Sequence, residues 1–247
     1  LEFKYSNFFR DIRKKGIKII EDNAEFSISK FNKLKKECDI ACFSFQASKH
    51  LTSGHGGVAI TNNKKIADNL RSISALGFKF NSNSSKINVN KDKMSVKSRH
   101  SLIGYNYRLA DPLAAILLAQ IERGEILTNC RIEAGNSFQK ILNNYDFVTT
   151  QEIPKNSIHT FWTFPIIFKS IKLLNNFKYE IAKSTIKKPY APWAVTYDEP
   201  LFKKYKRDTN KNSEYINSRM LLMPTGFWDK KILKEEINEL QKILDKL

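Results

Sequence analysis

Ile40-Ala41-Cys42-Phe43-Ser44-Phe45 is an apolar run that stops at the polar loop Gln46-Ala47-Ser48-Lys49. Past the glycine turn Gly54-His55-Gly56-Gly57 a second short run begins, Val58-Ala59-Ile60-Thr61. Upstream, Ile17-Lys18-Ile19-Ile20 reads as a buried strand ending at the acidic pair Glu21-Asp22. Before it, residues 5–15 set Phe8, Phe9 and Ile12 at helical spacing, with Ser6 or Asn7 as a cap and Gly16 as the stop. Helix, strand, loop, strand, glycine turn and strand predict an α/β sheet with its functional loops at the strand ends.

Working outward, residues 64–76 carry Ile66, Ala67, Leu70, Ile73 and Leu76 on one helical face. Residues 79–101 are Asn, Ser and Lys with few apolar anchors, which reads as a long exposed loop or insertion. Asp111-Pro112 opens a long apolar helix, and another helix is expected over 131–145. Beyond it the pattern changes. Residues 161–168 are strand-like, later segments are short, and the chain closes on a helix carrying Leu233, Ile237, Leu240, Ile243 and Leu244. A small C-terminal α+β domain from about residue 148 fits this pattern.

The 247 residues include 41% hydrophobic and 12% aromatic side chains, enough for a sizeable core, so global disorder is excluded. No apolar stretch reaches the roughly 18 residues a membrane helix needs, so no membrane partner is expected. The chain begins Leu1-Glu2-Phe3, without an initiator Met or a signal pattern, and is expected to belong to a longer polypeptide. Three cysteines, Cys38, Cys42 and Cys130, read as reduced thiols in a cytoplasm. Lys and Arg number 42 against 25 Asp and Glu, a formal charge of +17. That charge would suit a nucleic acid, but Lys is spread over every segment and no RNA-recognition motif appears, so no nucleic-acid partner is expected.

The residues that could carry chemistry are Asp22 after one strand, Ser44 in the next, and Lys49 in the loop beyond it. A carboxylate can keep a pyridine nitrogen protonated, and a deprotonated lysine can condense with an aldehyde cofactor. The same residues also read as a strand cap, a sheet serine and one lysine among many. Cys38, Cys42, His50 and His55 have the look of zinc ligands, but the gap between the pairs is short and Cys42 lies inside an apolar strand; no metal is expected. Gly54-His55-Gly56-Gly57 is no dinucleotide fingerprint, because it precedes a strand rather than opening a helix.

Several blocks, taken together, resemble the pyridoxal-phosphate-dependent sugar aminotransferases of the DegT/DnrJ/EryC1/StrS family. They are residues 19–25 (Ile-Ile-Glu-Asp-Asn-Ala-Glu), 39–49, 54–62, Gly104-Tyr105-Asn106-Tyr107-Arg108-Leu109-Ala110-Asp111, and the helix ending Gln120-Ile121-Glu122-Arg123. The resemblance implies part of a fold type I large domain over 1–147, a mostly parallel mixed sheet with flanking helices, followed by a small α+β domain over 148–247. It implies that Lys49 forms the Schiff base with pyridoxal phosphate and shuttles the proton, and that Asp22 pairs with the pyridinium nitrogen. Glu25 would lie beside the cofactor ring, Ser44 would hold the phosphate, and Asn106 would reach the phosphate in the neighbouring subunit of a homodimer with a shared active site.

The activity implied is transfer of an amino group, from glutamate as the amino-acid donor, to a nucleotide-linked keto sugar, serving surface polysaccharides or glycosylated metabolites. The family also contains sugar dehydratases with histidine in place of the lysine, and here His50 follows Lys49. The spacing from Ser44 favours Lys49. The chain departs from the family pattern at His55, where an acidic residue is frequent, and between Glu25 and Asp39, where glycines are usual. It also lacks the long segment that precedes the Asp22 block and cradles the phosphate, so a truncated homologue acting only as a binding or dimerisation partner is the alternative expectation.

Overall fold

A computed structural model describes residues 6–30, 38–79, 100–155, 157–206 and 210–247. Two compact units are present, one ending at Glu125 and one spanning Ile126–Leu247. The first contains α1 (Ser6–Lys14), β1 (Ile20–Asp22), β2 (Ile40–Ser44), β3 (Gly57–Ile60), α2 (Lys64–Ser74) and α3 (Asp111–Glu122). Its strands lie in the order β1-β2-β3, with β1 parallel and β3 antiparallel to β2. Alternation along β2 sends Ala41 and Phe43 into the core, against Phe26, Ile28, Cys38 and Ile60, and leaves Ile40, Cys42 and Ser44 half-buried on the other face.

The strand expected over Ile17–Ile20 is displaced. Ladder pairing starts at Ile20 and runs through Asp22, so the acidic pair lies inside the strand. Ile17 and Ile20 are 52% and 64% exposed rather than buried. Asp39 explains where pairing begins: its carboxylate accepts the Ile19 N–H at 3.0 Å and the Lys18 ammonium at 3.2 Å, and its own N–H donates to the Ile19 carbonyl at 2.9 Å. The Ile19 N–H, more than Lys18, holds the Asp39 carboxyl below its ordinary range despite burial. An acid whose folded pKa is depressed stabilises the fold above its unfolded value and loses that contribution as the pH falls. Asp39→Asn is therefore expected to flatten the loss of stability below about pH 4, read by urea unfolding across pH.

The long loop expected over 79–101 lies, for residues 80–99, outside the described residues. Around it the chain crosses itself closely. Ala75 and Asn106 form an antiparallel bridge, and the Leu76 N–H donates to the Tyr105 carbonyl at 2.9 Å. The crossing is possible because two glycines face each other. A Cβ on Gly104 would stand 2.1 Å from the Gly77 nitrogen, and one on Gly77 would stand 1.9 Å from the Leu102 carbonyl oxygen. Gly104→Ala is expected to cost about 1–3 kcal/mol, measured by denaturant unfolding, because backbone on both sides must move.

The second unit holds most of α4 (Gly124–Leu142), then β4 (Val148–Thr150), β5 (Thr163–Phe168), α5 (Ile171–Lys183), α6 (Lys211–Asn217), β6 (Met220–Pro224) and α7 (Lys230–Leu244). Helix α4 starts before the expected residue 131, because only Arg123 separates it from α3. The sheet order is β4-β5-β6, antiparallel throughout. Phe164, Ile166 and Phe168 alternate into a core shared with Phe138, Phe177, Leu240 and Ile243, the α+β arrangement expected of this half. Pro165 is tolerated in the middle strand because β4 ends opposite Ile166, so at Pro165 β5 is paired only with β6.

Candidate active site

Parallel pairing of β1 and β2 brings two of the sequence-derived residues to one edge of the sheet. Asp22 ends β1 and stands in register with Cys42; Ser44 ends β2 two residues further on. Because side chains alternate with a period of two, Asp22, Cys42 and Ser44 share a face. Across β3 that face continues with Ala59 opposite Cys42 and Gly57 opposite Ser44, both small. A carboxylate and a hydroxyl are thus set at the carboxyl ends of neighbouring parallel strands, where open α/β sheets place their ligands.

Local hydrogen bonds fix both groups. One Asp22 oxygen accepts the Ala24 N–H at 3.0 Å, while the Asn23 N–H donates to the Cys42 carbonyl at 2.8 Å. The carboxylate is exposed. Ser44 Oγ accepts the Gln46 N–H at 3.3 Å. Between them the Cys42 thiol is pushed up, first by burial and then by the negative charge of Asp22. A neutral thiol therefore sits beside the carboxylate at neutral pH.

Lys49 lies in the turn that follows β2, half-buried, with its N–H donating to the Gln46 carbonyl at 2.9 Å. The turn is organised by Gln46, whose Oε1 accepts the Ser48 N–H at 2.8 Å and the Ser48 hydroxyl at 2.6 Å. Neither Gln46 nor Ser48 was singled out from the sequence; polar residues two apart at the start of a loop were the available signal. Past the turn, the Phe45 N–H donates to the Gly56 carbonyl and the Ser53 N–H to the Phe45 carbonyl, at 2.9 and 3.1 Å. Gly56, at φ +125°, and Gly57, whose Cβ would stand 2.7 Å from the Phe43 carbonyl oxygen, let β3 return this close to β2.

The remaining candidates are placed as follows. Glu25 is exposed in the turn after Asp22. Asn106 is held on the separate crossing of residues 75–78 with 102–107, exposed, between Tyr105 and Tyr107, whose rings stack at 5.1 Å. His50 is buried, 3% exposed, whereas Lys49 is half-buried. Among the described residues no group of three or more His, Cys, Asp or Glu is arranged to hold a metal ion.

Residues 10–242 match the DegT/DnrJ/EryC1/StrS aminotransferase family. GDP-perosamine synthase of Escherichia coli O157:H7 is 27% identical over 176 residues, which cover 70% of this chain and 44% of that protein. The chain spans about half the length of the curated relatives it matches. Among solved structures, Helicobacter pylori PseC, an aminotransferase of pseudoaminic acid biosynthesis, superposes with a TM-score of 0.79 at 17% identity, over 100% of this chain and 64% of that one. NtdA of Bacillus subtilis, solved with the cofactor PMP bound, gives a TM-score of 0.76 at 18% identity over 99% and 54%. At these identities the superpositions establish the fold.

Proposed function

This chain belongs to the DegT/DnrJ/EryC1/StrS aminotransferase family, and we propose that it carries the lysine-bearing part of an enzyme that transfers an amino group from glutamate to a nucleotide-linked keto sugar. The observation that carries this reading is the common placement of Asp22 and Ser44 on one face at one sheet edge, with Lys49 in the loop that leaves it. The relative named above is a GDP-sugar synthase, and that is the support for a nucleotide-linked substrate. Products of this kind serve surface polysaccharides or glycosylated metabolites.

The donor set fits pyridoxal phosphate. It offers a carboxylate for a ring nitrogen, a hydroxyl for a phosphate and a primary amine for an aldehyde, on a face kept open by Gly57 and Ala59. When bound, the cofactor supplies an electron sink for the carbon that gains or loses the amine. Asp22 holds a proton on the ring nitrogen. The Ser44 hydroxyl and the Glu25 side chain orient the phosphate and the ring. Lys49 would hold the aldehyde end and, once released, would carry a proton between the two carbons that share the transferred nitrogen. Lys49, half-buried, is less enclosed than His50, and this supports amino transfer over the histidine-dependent dehydration found in the same family.

A homodimer with a shared site completes the reading, with Asn106 reaching the cofactor phosphate of the neighbour. Helix α3 supports it: Ile116, Leu118 and Ile121 are exposed, as are Tyr105 and Tyr107, an apolar surface of the kind a partner covers. Residues 1–147 would form the cofactor-binding part and 148–247 the smaller one. Among the described residues no helix is long and apolar enough to cross a membrane; we place the work of the enzyme in the cytoplasm, where Cys38, Cys42 and Cys130 would stay reduced. The test is 2-oxoglutarate release from glutamate in the presence of a nucleotide-linked keto sugar. Release that requires both the sugar and pyridoxal phosphate supports the reading; binding of either without release favours a truncated binding partner.

A further inference from the structure

A small cleft, with about 10 Å³ of space, lies where the three segments of the candidate site meet. Phe26 and Ser27 line it from the segment leaving Asp22, Ser44 and Phe45 from the end of β2, and His50 and Leu51 from the stretch after Lys49. Ser27 and His50 are 1% and 3% exposed. A buried imidazole among phenylalanine and leucine side chains is stable only where its polar atoms are satisfied, so its seat is specific in a way an apolar contact is not.

Lys49 and His50 are adjacent, yet one is half-buried and the other fully buried. Sliding the stretch forward by one residue would set the Lys49 ammonium in the buried seat that His50 fills, and burying an ammonium there is costly. On the other side of Lys49 the turn is already pinned by Gln46. We infer that His50 is a positioning residue: seated in the cleft, it fixes the register of the 46–50 turn and thereby the point at which the Lys49 side chain leaves it. The inference rests on the reading of Lys49 as the cofactor-bearing residue.

The test measures the Lys49 amine in the full chain in two ways. Limiting acetic anhydride followed by peptide mass mapping reads Lys49 reactivity with no cofactor present; pyridoxal phosphate followed by borohydride reads capture. His50→Ala is expected to alter Lys49 acetylation while leaving Lys140 and Lys242 unchanged, and to lower capture at Lys49 about tenfold or more, as a small misplacement of a reacting group does. His50→Gln, which keeps size and polarity, restores most of both. Should His50→Ala lose its circular dichroism signal, His50→Phe, which fills the space without a nitrogen, is read in its place. Acetylation and capture equal to the unsubstituted chain in a folded variant overturn the inference. A wild-type chain that never captures the cofactor at Lys49, with the acetylation change still present, counts against the aminotransferase reading and leaves the positioning role standing.

Discussion

Replacing Lys49 by alanine is expected to abolish covalent capture of pyridoxal phosphate and to lower amino transfer by about 10⁴-fold or more, since one side chain serves as both nucleophile and proton carrier. The expectation follows from placement. Lys49 is the lysine of the loop that leaves β2, five positions after Ser44, and its turn is held by backbone and Gln46 contacts that alanine does not touch. The loss therefore belongs to the amine and not to the turn. Lys49→Arg retains the charge and removes a deprotonatable amine, and it should fail as completely. The measurement is 2-oxoglutarate release under saturating cofactor, with circular dichroism showing that the variant is folded.

Asp22→Asn is expected to lower kcat by about 10²–10⁴-fold, because a neutral amide cannot hold the proton on the ring nitrogen that makes the cofactor an electron sink. Asparagine retains a carbonyl oxygen able to accept the Ala24 N–H, so the turn after β1 is preserved. Cofactor capture at Lys49 should persist, because the lysine and the Ser44 hydroxyl are untouched. The two variants thus separate: one loses capture and turnover together, the other loses mainly turnover. A spectroscopic readout accompanies this one, since the absorbance of the bound cofactor should shift once its ring nitrogen is no longer paired with a carboxylate.

Much of this was legible in residue order. The apolar run Ile40–Phe45 with its polar loop, and the glycine turn before Val58, predict β2, β3 and the loop carrying Lys49, because burial on a central strand leaves a continuous apolar trace. Helices α2, α3 and α7 are marked by spacing and, for α3, by Pro112 in its first turn. The start of β1 was not legible. It depends on the contact of Asp39 with Ile19, twenty residues apart, and nothing local announces it. The position of Asn106 was equally hidden, since it depends on two glycines meeting, Gly77 and Gly104. That His50 is fully buried while Lys49 is only half-buried is a matter of register, which adjacent polar residues do not encode.

The measurement that bears most directly on Lys49 is borohydride reduction of the chain with pyridoxal phosphate, followed by peptide mapping. With 33 lysines in the chain, a reactive aldehyde has many places to go, so selectivity is informative. The expected result is one predominant modification at Lys49, saturating at low cofactor concentration and absent in Lys49→Ala. Label spread over surface lysines in proportion to their exposure, with Lys49 no more modified than the rest, would contradict the assignment of this loop as the cofactor site.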